Sequence, residues 1–134
     1  MSLERLEKEI ISTVSPLITS ESMLNGVKRP NISFIDNIES PFSKDPIGGL
    51  YDRSIPVIIL NRGQMNRLLN MGVDENEVKL TVIETCFHEF KHHVDSERFN
   101  MTPRVYSDNK PKWENRARKY ARKMMGKYGL RAGW

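Results

Sequence analysis

The stretch His88-Glu89-Phe90-Lys91-His92 constrains this chain most, because two of its three histidines stand four residues apart around a glutamate. On an α-helix that spacing stacks both imidazoles on one face, one turn apart. Upstream, Val78, Val82, Ile83, Cys86 and Phe87, with Phe90 after them, read as the buried stripe of a long helix. Burying that stripe carries the histidine pair toward the core, where polar side chains need partners. The pattern suits Zn²⁺, which takes imidazole nitrogens at about 2.0–2.1 Å, and two ligands from adjacent turns preorganise half of a tetrahedral site. Glu89 follows the first histidine and so points beside the ion, where its carboxylate can take a proton from an activated water. The expectation is a zinc hydrolase, most often a peptidase, with one Zn²⁺ per chain held by His88 and His92 and with Glu89 as general base.

A catalytic zinc uses three protein ligands and keeps one position for water. His93 adjoins His92 and therefore turns about 100° away around the helix, the position of a surface or supporting histidine. Glu114 is the candidate third ligand. It opens the final helix 22 residues after His92, and Ala117 and Ala121 lie on its side, small enough to let two helices approach closely. Asp95 is the rival, three residues past His92. Seven residues of helix from His88 span about 10.5 Å, so Asp95 is better suited to accept the free N–H of a ligand imidazole. Glu84, one turn before His88, could do the same. For the donor that meets a developing oxyanion, the candidates are Tyr106, His93 and Arg116.

The 134 residues are 38% hydrophobic and 28% charged, which implies a single soluble globular domain spanning 1–134. No apolar run approaches the ~20 residues of a membrane span, and the charged N-terminus lacks the apolar core of a signal peptide. The lone Cys86 excludes an internal disulfide and reads as a small core residue, so a cytoplasmic setting is expected. Residues 110–134 hold nine of the 21 Lys and Arg and one acid, giving +8 there and −4 in the remainder. That concentration opens a second reading: a catalytically inactive, metal-stabilised binding module whose basic residues 110–131 hold nucleic acid or an acidic partner.

Leu3, Leu6, Ile10 and Val14 predict an N-terminal helix, interrupted at Ser15-Pro16. Asn31–Ile35 alternates as a strand, and 39–46, with two prolines, is a loop. Ile47–Asp52 and Ile55–Leu60 read as strands paired around a turn at Arg53-Ser54, with Pro56 near a strand start. Asn61–Met71 is a short helix ended by Gly72. The Asp74-x-x-Glu77 pattern resembles a capping box opening the main helix, which runs to about Glu97. Pro103 marks a break. The last helix starts near Pro111, buries Trp113, Ala117, Tyr120, Ala121, Met124 and Met125, and ends at Gly126 and Gly129. The fold class is α+β.

Taken together, the hairpin ending Val57-Ile58-Ile59-Leu60-Asn61, the His88-Glu89-x-x-His92 helix and the run Glu114-Asn115-Arg116-Ala117-Arg118-Lys119-Tyr120-Ala121 resemble the compact gluzincin-like metalloproteases of the ImmA/IrrE group over residues 47–125. The resemblance implies a small zincin-like domain, zinc ligands His88, His92 and Glu114, and Glu89 as general base. It also implies a protein or peptide substrate lying extended against an edge strand at Val57–Leu60. The chain departs from the family at Lys91, where a glycine is common. SprT-like proteases are the alternative resemblance; they take a later histidine as third ligand, and none follows His93.

Overall fold

The computed structural model describes residues 3–36 and 48–130; the expected loop at 39–46, the strand start at Ile47 and the tail from Arg131 to Trp134 lie outside them. Helix α1 spans Leu3–Asn25 without interruption. The stripe Leu6, Ile10, Val14 and Ile18 is fully buried and stays in phase across Pro16, which corrects the expected break. Pro16 sits on the exposed face, so the backbone bond it forfeits falls where water can replace it.

Strands β1 (Asn31–Ile35), β2 (Gly49–Asp52) and β3 (Val57–Asn61) form one sheet in the order β1-β3-β2. β1 runs parallel to β3, with Asn31 opposite Val57, and β2 runs antiparallel to it, with Gly49 opposite Leu60. The β2–β3 turn is longer than two residues. Ser54 donates its N–H (2.9 Å) and hydroxyl (2.6 Å) to the Asp52 carboxylate, and Pro56, which has no N–H for a ladder, precedes β3. The strand at Val57–Leu60 is therefore central, not the edge that the resemblance implied. Its flanks are closed by β1 and β2, and the side of β2 away from β3 has no strand partner among the described residues.

Asn61 caps α2 (Arg62–Asn70) by accepting from the Gln64 N–H at 3.0 Å, and Met65 carries that helix into the core. Gly72, at φ +86°, closes it. Asp74 caps the long α3 (Glu75–Phe99) through Asn76 N rather than through Glu77, so the full capping box does not form. α3 ends at Asn100 in the left-handed conformation. The expected break at Pro103 is instead the first turn of a short helix, α4 (Pro103–Asp108), capped by Thr102. α5 (Lys110–Lys127) buries Trp113, Ala117, Ala121, Met124 and Met125 and leaves Tyr120 half-buried; it passes through Gly126 and closes near Gly129, at φ +64°. One hydrophobic cluster joins α1, β3, α2, α3 and α5, with Cys86 fully buried in it, as a core residue should be. The architecture is α+β, and no described helix is long and apolar enough to cross a membrane.

A buried acid ties α1 to α5. Glu21, 3% exposed, accepts from Tyr120 Oη (3.2 Å), Lys127 Nζ (2.6 Å) and Tyr128 Oη. Burial pushes its carboxyl upward, but the bonds from Lys127, Tyr128 and Tyr120 outweigh this and hold it below the usual 4.5. A depressed carboxyl stabilises the fold above its unfolded value, and that contribution drains away as pH falls through the folded one. Glu21→Gln is expected to lower the unfolding free energy at pH 7 by about 2 kcal/mol. It should also flatten the decline in stability below about pH 4.5. Urea titrations of both chains at several pH values read both effects, and parallel acid limbs would refute the assignment.

Candidate metal centre

α3 presents His88 and His92 on one face, and α5, packed alongside through Ala117 and Ala121, brings Glu114 across to them. The Nε2 atoms of His88 and His92 lie 3.0 and 2.9 Å from the two Glu114 carboxylate oxygens. Glu89 Oε2 is 4.0 Å from His88 Nε2, and the ligand atoms of His88, Glu89 and His92 fall within 4.8 Å of one another. Two nitrogens and a carboxylate converging on one point fit the donor set of zinc, whose bonds of about 2 Å span such a gap. An uncapped polar atom remains: His92 Nδ1 is buried with no hydrogen-bond partner among the described residues. The imidazole's hydrogen bond is made by Nε2, the atom turned toward Glu114.

The electrostatics follow from this clustering. Burial and the nearby Glu114 push the Glu89 carboxyl above its usual range, against the pull of His92 and His88. Glu114 is also raised by burial, but hydrogen bonds from His88, His92 and Tyr106 overcome that and hold it far below the ordinary range. In turn, burial lowers the basicity of His92, and its bond to Glu114 with the Glu89 charge raises it further than burial lowers it.

Of the remaining candidates, two reach the site. Tyr106 donates its hydroxyl to Glu114 Oε2 and packs edge-on against His92, 5.9 Å between ring centroids. Glu84 lines the same cleft. The others are turned elsewhere, which corrects their assignment. Asp95 does not accept from a ligand imidazole: it is fully buried and holds Arg116 (3.0 and 3.2 Å) and Lys91 (3.2 Å). Arg116, so engaged and stacked beside Phe99 and Trp113, does not face the cleft. Lys91 points to Asp95 and the Tyr120 ring.

His93 is wholly buried, not at the surface. Its Nε2 lies 2.6 Å from the Lys28 carbonyl, which can only accept, so Nε2 carries the proton and Nδ1 accepts from Tyr51 Oη at 2.8 Å. Burial lowers its basicity against the Lys28 bond, consistent with a neutral ring. Through Tyr51 it ties β2 to α3.

β2 forms the second wall of the cleft, and its close approach depends on glycine. A Cβ on Gly49 would meet Thr85 Cγ2 at 2.7 Å and Glu89 Cγ at 3.4 Å, and Thr85 is held by its bond to the Thr81 carbonyl. The Gly48-Gly49 pair is the sequence signal for this approach, since glycine inside a strand marks a backbone passing near another element. The cleft measures about 1280 Å³, above the roughly 300–1,000 Å³ of most small-molecule sites.

Lys110, Arg118 and Arg122 line it from α5. The basic segment is thus divided. Arg116 and Lys127 pair with buried acids, Lys112 lies 5.0 Å over the Trp113 ring, and Lys119 and Lys123 are exposed outside the cleft. Compared with protein-family models, curated proteins and solved structures, the chain matches none.

Proposed function

We propose that the chain is a zinc-dependent hydrolase of zincin-like build, similar to the ImmA/IrrE metalloproteases, that cleaves a peptide bond. The observation that carries this reading is the meeting of His88 Nε2 and His92 Nε2 on the Glu114 carboxylate with Glu89 alongside. His88, His92 and Glu114 would hold the ion, which when bound acidifies water and polarises a carbonyl.

The chain's own groups supply the rest. Glu89 takes the proton of the attacking water and passes it to the leaving amine, its carboxylate kept in place by burial among His88, His92 and the β2 glycines. Tyr106 gives its hydroxyl proton to the Glu114 carboxylate and fixes it. Of the three oxyanion candidates it alone lies at the cleft, and meeting an oxyanion would require it to release that bond, while His93 and Arg116 are committed elsewhere. The side of β2 that has no strand partner among the described residues offers backbone groups to an extended peptide. Its position along the cleft supports a protein or peptide substrate over a small metabolite.

Elemental analysis of chain prepared without chelator tests the centre. About one zinc per chain is expected, and none in His92→Ala. A chain that takes up no zinc when an equimolar amount is added would end this reading.

A further inference from the structure

Beyond the chemistry at Glu89, the two walls of the cleft differ in charge. On α5, Lys110, Glu114, Arg118 and Arg122 recur every four residues and line the cleft as one row. Four residues of helix rise about 6 Å, so Lys110 and Arg118 flank Glu114 at that distance on either side and Arg122 stands about 12 Å along. Lys110 and Arg118 make no ion pair with any described residue.

The acids of the cleft are largely engaged. Glu89 and Glu114 belong to the centre, and Asp52 is occupied by Ser54 in the β2–β3 turn. Arg53, the cation on the β2 side, donates to the Met101 carbonyl and to Asn100. Two cations without partners therefore face the space a substrate would fill, and Glu84 is the remaining acid among the described lining residues. Like-signed groups held in a cleft raise the local concentration of an oppositely charged ligand and reject ligands of their own sign.

We propose that the cleft selects a peptide with acidic side chains, seated with carboxylates against Lys110 and Arg118. This rests on the hydrolase reading for what then happens to the peptide, but the charge preference is a property of binding. Extended peptide advances about 3.4 Å per residue, so each cation lies within about two residues of the bond at the centre. Nucleic acid would need the exposed cations of α5 in common, whereas Lys119 and Lys123 do not share the cleft face of Arg118.

The test uses fluorescence anisotropy with the full chain carrying Glu89→Gln, with and without zinc, so that nothing is cleaved. The probes are fluorescein-labelled alternating Glu-Ala, Gln-Ala and Lys-Ala peptides and a single-stranded DNA oligonucleotide of similar length. The Glu-Ala peptide should bind at least about ten-fold more tightly than Gln-Ala, with a margin that shrinks in high salt. Arg118→Glu should erase the margin and Lys110→Glu reduce it, while Lys119→Glu leaves it intact; all three positions are exposed, so folding is not at stake.

Equal binding of the Glu-Ala and Gln-Ala peptides would overturn the proposal. So would an equal loss from Lys119→Glu, the mark of diffuse attraction, or tighter binding of the DNA. The hydrolase reading is judged separately by turnover of the wild-type chain. Arg118-dependent binding without any cleavage would refute that reading and leave the acidic preference standing.

Discussion

Glu89→Gln is expected to lower peptide hydrolysis by about 10²–10⁴-fold while zinc content stays at one per chain. The substitution keeps the side chain's size, so the close passage of β2 past Glu89 is undisturbed. It removes the proton acceptor that stands 4.0 Å from His88 Nε2 and spares the two histidines that meet at Glu114. Assay of both chains on an unstructured protein such as casein, beside their zinc content, reads the two effects independently. The competing view, a metal-stabilised module that binds without cleaving, expects the opposite pattern. There Glu89→Gln is silent, and Lys/Arg→Ala changes across 116–123 abolish function. Full turnover by Glu89→Gln would remove this residue from the mechanism.

Zinc is expected to raise the thermal midpoint of the wild-type chain by about 10 °C at a free concentration near a hundred times its Kd. Ligand that binds only the folded state contributes about 2.7 kcal/mol at that ratio. A domain of this size moves by about 4 °C per kcal/mol. The effect should be this direct because the donors are already assembled: His88 and His92 come from one helix and Glu114 from the helix packed on it. Calorimetry with and without chelator measures the shift, which His92→Ala should abolish. A midpoint indifferent to both zinc and chelator would mean that the cluster is a hydrogen-bonded network and no metal site.

Periodicity made the helices legible, and the site with them. The Val78-to-Phe90 stripe located α3, and Trp113 with Ala117 and Ala121 located α5, so the approach of Glu114 to the histidine pair followed from two faces that had to be buried. What escaped depends on neighbours distant in sequence. No local pattern says that β1 closes the far side of β3, so the open edge was assigned to the wrong strand. Asp95 was given to an imidazole because both lie on α3, but Arg116 arrives from α5 with two hydrogen bonds and claims it. Pro16 read as a breaker because its cost is local, whereas the burial that overrides it is spread over four residues on both sides. α4 had a signal that was read as mere interruption: Thr102-Pro103 pairs a capping hydroxyl with a proline at the first helical position.

The Glu21 junction also has a bearing on the order in which the molecule can be finished. Its three partners stand 99, 106 and 107 residues further along the chain, so on the ribosome α1 emerges long before anything can neutralise the acid on its inner face. Until Tyr128 has been made and has folded back, that face must stay wet or be shielded by something else. A nascent or truncated chain ending before Lys127 therefore has the apolar stripe of α1 to hold that helix but lacks the Lys127 and Tyr128 bonds to its buried acid, so a helix made early receives part of its anchorage late.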